Sequence, residues 1–92
     1  MTAAPAGSDA LRVVALAAQA EMALVRRDAV AGALLAQAAR AADGMPSGPA
    51  LAEAARLVRT EPGREAVRQA ALSLCRLGLQ EAQAQALGAP SS

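Results

Sequence analysis

Apolar residues recur along this chain at intervals of three and four, the spacing that stacks side chains on one face of an α-helix. In the first segment Leu11, Val14, Ala18, Met22 and Val25 form one such line, while Arg12, Gln19 and Arg26 recur every seven residues on the other side. A helix is predicted from Ser8 or Asp9, either of which can cap its first N–H groups, to about Arg27. Val13, Leu16, Ala20 and Leu24 make a second apolar line beyond Glu21. Apolar surface on more than one side marks a central or groove-lining helix.

Three further patterns follow. Asp28 can cap a helix with Ala31, Leu34, Leu35, Ala38 and Ala42 inward, Gln37 and Arg40 outward, and Gly44 at its end. A continuous helix over 9–42 is the alternative, but Arg27-Asp28 is polar on all sides and 34 residues far exceed the usual three or four turns, so a hairpin is preferred. Pro49 suits the first turn of a third helix with Leu51, Ala54, Ala55 and Val58 inward. After Thr60-Glu61-Pro62-Gly63, Pro62 fits the first turn of a fourth helix whose stripe is Val67, Ala70, Ala71, Leu74 and Leu77. Gly78 reads as its stop, and a short fifth helix runs from Gln80 to Leu87.

No run of alternating β-branched residues exists to build a sheet. The fold class is therefore all-α: four or five short amphipathic helices arranged as two helical hairpins. Proline and glycine divide the chain into a flexible leader (1–7), one helical domain (8–87) and a flexible tail (88–92). Within the domain, a first hairpin (8–43) and a second half (50–87) flank a linker over 44–49.

Composition sharpens this picture. The 92 residues contain 28 Ala and 12 Leu but no aromatic residue, no His and no Lys, so all nine cations are Arg. The core must be built from small side chains, and a domain of this size is thinly stable alone. The net charge of +1 supplies no field to gather nucleic acid or an anionic membrane. One cysteine excludes an internal disulfide, which agrees with a reducing, cytoplasmic setting. Residues 1–8 carry no basic cluster before an apolar run, and no stretch reaches the roughly 18 apolar residues of a membrane span.

Catalytic chemistry finds little purchase. With no His or Lys, Cys75 has no ordinary activator and reads as a packed apolar residue. Zinc needs three or four Cys or His ligands, and one exists; no acidic cluster resembles a magnesium or calcium site. Glu61 and Glu65 stand one turn apart, but a helix start followed by Arg64 and Arg68 accounts for them. The expectation is no enzyme, no catalytic residue, no cofactor and no metal. Arg56, Arg59, Arg64, Arg68 and Arg76 outline a helix-turn-helix-like regulator, the alternative function, yet acidic residues interleave with them and no aromatic offers a base a stacking surface.

The apolar excess of the first helix points instead to a protein partner. Val13, Leu16, Met22 and Leu24 are the candidate contacts for a partner's amphipathic helix, which Ala-lined surfaces let approach closely. A structural subunit of a larger complex is a third reading.

Two stretches have the texture of a repeat hairpin: Ala23-Leu24-Val25-Arg26-Arg27-Asp28 followed by Leu34 to Ala42, and Ala71 to Ala82 with its Leu77-Gly78-Leu79 turn. They resemble tetratricopeptide-like helical repeats, departing from them in having Ala for the bulky aromatics and the turn glycine only in the second stretch. With the short length, they are similar to the needle-subunit co-chaperones of bacterial type III secretion. That resemblance implies a cytoplasmic chaperone that holds an amphipathic helix of the needle subunit, with a second small co-chaperone, and blocks premature polymerisation.

Overall fold

The computed structural model describes residues 6–88, and they form four helices with no strand among them: α1 (Ala6–Val25), α2 (Ala31–Ala41), α3 (Gly48–Thr60) and α4 (Glu65–Ala86). The all-α expectation holds. Each helix packs on its two neighbours in a closed ring, α1 on α2, α2 on α3, α3 on α4 and α4 back on α1, with few contacts across the diagonals. The short connections make sequential helices antiparallel. The ring is closed by the most extensive of the four seams, between the first and last helices.

The α1–α2 boundary is a true break, made without glycine or proline. Asp28 N–H donates to Ala23 O (2.8 Å) and Arg27 N–H to Leu24 O (3.1 Å), the paired bonds of a Schellman motif. Arg27 occupies its left-handed position with φ 57°, the one non-glycine residue of positive φ among the described residues. Asp28 is not the cap residue of α2, a place that Val30 takes without a side-chain cap bond; its Oδ1 accepts from Val30 N–H at 3.1 Å and so closes the turn that leads into the helix. Gly44 also has left-handed backbone (φ 82°), in the turn that Met45 N–H closes onto Ala42 O (2.8 Å).

Several expected boundaries move. α1 is already helical at Ala6, so Ser8 and Asp9 lie in its first turn, and residues 6–7 of the expected leader belong to the helix. Residues 1–5 and 89–92, the remainder of the leader and most of the expected tail, lie outside the described residues. α3 starts at Gly48, inside the expected linker, with Pro49 in its first turn. Pro62 stays in the loop ahead of α4.

The largest correction concerns Gly78. It neither stops α4 nor starts a fifth helix; α4 runs through it for 22 residues. The buried line is Ala71, Leu72, Cys75, Gly78 and Ala82, whereas Leu77 and Ala70, assigned inward from sequence, face out. The reason is steric. A Cβ on Gly78 would stand 2.7 Å from Leu51 Cγ, so the missing side chain is the hole that receives Leu51 of α3. Reading the glycine as a stop put the stripe out of phase by one residue.

Twelve of the eighteen buried apolar residues described are alanine. The buried bulk comes from Val13, Leu24, Leu35, Leu51 and Leu72, one or two per helix, and partly buried residues such as Leu34, Val58, Leu74 and Leu79 pack against them from the edges.

Candidate interaction surface

The two apolar lines on α1 end on opposite sides of the ring wall. Val13, Ala17, Ala20 and Leu24 are buried and form the inner face, with Ala10 and Ala23. Along the outer face, Leu11, Met22 and Val25 keep 59%, 51% and 50% of their surface exposed, and Ala15 and Ala18 lie between them. α1 is thus a wall helix with a wet apolar side rather than a central one.

The candidate contacts therefore separate. Val13 and Leu24 are core and unavailable to a partner while the ring is closed. Leu16 is half-buried in a shallow groove between α1 and α2, beside Arg12, Gln37 and Arg40. Met22 alone lies on the outer face, joined there by Leu11, Ala15, Ala18 and Val25, which the candidate set omitted. The signal that finds them is the seven-residue recurrence Leu11, Ala18, Val25, interleaved with Ala15 and Met22.

Polar ties lock α1 to α4 beside this face. Arg68 Nη1 donates to Leu24 O (2.9 Å), Cys75 Sγ to Ala17 O (3.4 Å), and Arg76 Nε to Glu21 Oε2 (2.7 Å). Descending α1 means ascending α4, so the two run antiparallel. The Arg68 bond gives the Leu24 carbonyl, which already accepts from Arg27 N–H, a second donor from another helix. Arg68 also holds Glu65, and with Gln69 it keeps that carboxyl well below the usual range, at about 2.

Other charged residues are paired as well. Arg56, Arg64, Arg68 and Arg76 are paired with Glu53, Glu61, Glu65 and Glu21, so four of the five arginines that outlined a nucleic-acid surface already have acidic partners. Glu61 and Glu65 each hold an arginine and do not face one another as an acid–base pair. Cys75 is fully buried, and desolvation, reinforced by the nearby Glu21 carboxylate, pushes its thiol up to about 11. It is a packed residue with a weak hydrogen bond to Ala17 O.

At the opposite rim from the chain ends, the α1–α2 and α3–α4 loops enclose a cleft of about 370 Å³. Its floor is Leu24, Ala31, Gly32, Val58 and Val67, and its rim is Arg27, Glu61, Arg64 and Glu65. The rim charges alternate and pair, Arg27 reaching Glu65 at 3.3 Å and Arg64 reaching Glu61 at 2.8 Å, so the cleft has no uncompensated charge to select an ion. Among the described residues no helix is long and apolar enough to cross a membrane. No family model matches the chain, and no curated protein or solved structure matches it either.

Proposed function

We propose that this chain is a non-catalytic protein-interaction module that takes an amphipathic helix on the outer face of α1. The observation that carries the reading is the line Leu11, Ala15, Ala18, Met22, Val25, whose three large members are each at least half exposed. Over the fourteen steps from Leu11 to Val25 the line is about 21 Å long, enough for four turns of a second helix. Its alanines permit close approach in the middle, and its larger residues fill the ends.

Shielding a partner's apolar helix from self-association is chaperone chemistry, and the resemblance to needle-subunit co-chaperones supplies one candidate helix. The paired arginines make the nucleic-acid reading the weaker one. The test is a titration of ¹⁵N-labelled protein with amphipathic helical peptides, including the C-terminal helix of a type III secretion needle subunit. Shifts confined to Leu11–Val25 and abolished by Met22→Glu are expected. Shifts centred on the loop-end cleft instead, or a helix panel that binds nowhere, would remove the proposal.

A further inference from the structure

We infer that the outer face of α1 pairs with the same face of a second copy of this chain, in parallel and in register, as a two-stranded coiled coil between two helical rings. This rests on the interaction-module reading above and names its partner. Leu11, Ala15, Ala18, Met22 and Val25 follow the alternating four- and three-residue steps of a heptad seam, in which an in-register parallel pair sets each residue against its own copy. The two central alanine layers bring the backbones close, and Leu11, Met22 and Val25 close the ends.

The flanking charges choose the orientation. In a parallel pair the residue just before every second seam position, here Ala15 and Met22, meets the residue five further on in the other copy, which places Glu21 against Arg26 of the second copy, twice by symmetry. Arg26 makes no ion pair among the described residues, and Glu21 uses only Oε2 for Arg76, leaving Oε1 for a second donor. In the antiparallel register that sets Ala18 against Met22, Arg12 would face Arg26 and Glu21 would face Glu21, both repulsive, and the register that sets Leu11 against Met22 brings no opposite charges together. The net charge of +1 opposes association very little. A seam of four turns is small by the standard of stable interfaces, so the dimer is weak and concentration-dependent.

Sedimentation equilibrium of the full 92-residue chain tests this, with the mass rising from 9.1 kDa toward twice that value as concentration goes from about 10 µM to about 1 mM. Met22→Glu, a surface change that leaves the core intact, weakens the dimer by at least about tenfold. Glu21→Arg and Arg26→Glu each weaken it alone, while an equimolar mixture of the two restores it, because every flanking pair is then opposite in sign. Val25→Cys cross-links to itself on oxidation, whereas a mixture of Leu11→Cys and Val25→Cys gives no mixed disulfide. A folded monomer at every concentration overturns the inference, as does a dimer that ignores Met22→Glu. If that monomer still binds an amphipathic peptide on α1, the interaction-module reading stands and only the self-pairing fails; if it binds none, both fail.

Discussion

Gly78→Ala sets two effects against each other. In the middle of a helix the change by itself stabilises by about 1 kcal/mol, because alanine loses less backbone freedom on folding. Here the new Cβ would stand 2.7 Å from Leu51 Cγ and 2.9 Å from Leu51 Cδ2. Carbon atoms in contact prefer about 3.5–4.0 Å, so roughly 1 Å must be found by moving α3 from α4 or Leu51 from its rotamer. Leu51 has 0% exposure, so any turn it makes is into the core. Overpacking of this kind costs about 1–3 kcal/mol, and a fully enclosed neighbour puts it near the upper end. The net expectation is a loss of about 2 kcal/mol, or a fall of roughly 8–16 °C in Tm for a domain of this size. Urea unfolding followed by circular dichroism at the helix band measures it, since the chain has no aromatic residue to report by fluorescence. The same substitution made in a Leu51→Ala background has no side chain to meet and becomes stabilising. Gly78→Ala raising stability in the native background, or a double-mutant cycle additive within about 0.5 kcal/mol, would refute the hole-filling account.

Four further outcomes follow from the geometry. Arg27→Gly relieves the left-handed strain of a side-chain-bearing residue at the end of α1 and gives up only a surface ion pair whose partners are both more than half exposed, so Tm rises by a few degrees; a fall would mean that the Glu65 contact dominates. Leu35→Ala, with no exposed surface, costs about 2–5 kcal/mol, while Leu11→Ala on the outer face of dilute protein stays within about 0.5 kcal/mol in the same denaturation assay. The Cys75 thiol, raised to about 11 and buried, reacts with a thiol reagent at pH 8 only as fast as the ring opens, so its rate rises with urea in step with unfolding; fast labelling of the native protein contradicts the packing. The Glu65 carboxyl is lowered from 4.5 to about 2, so its contribution is complete above pH 4.5 and disappears as pH falls toward 2; Glu65→Gln flattens this acid limb of a Tm-against-pH curve, and an unchanged limb would assign it to other carboxylates.

The helices were legible because their inner stripes are written in leucine and alanine at helical spacing. Leu35, Leu51, Ala54 and Ala38 point inward as their spacing requires. The turn at Arg27-Asp28 was legible from its polarity, although not its left-handed backbone, since nothing local marks an arginine for a position that glycine usually takes. Gly78 failed for a physical reason: a helix-stopping glycine and a glycine serving as a packing hole look alike until the leucine that fills the hole is placed, 27 positions earlier on another helix. The two faces of α1 were hard to tell apart for a related reason. α1 carries two apolar lines of similar strength, and only its neighbours in the ring decide which is interior, so Val13 and Leu24 were grouped with Met22 although the wall of the ring lies between them.

The alanine core inverts the usual pattern of mutational risk. In most domains the hazard is loss of bulk, because trimming a large side chain leaves a void. Here twelve of the eighteen buried apolar positions described are already at the smallest side chain that still has a Cβ, and trimming them removes almost nothing. The damaging class is enlargement: alanine to valine, threonine or glutamate, each a single-nucleotide change from an alanine codon, adds atoms at a buried site. A library of random point variants should therefore lose folded members mainly at alanine sites and mainly through added atoms. The sequence keeps its fold by keeping its core side chains small.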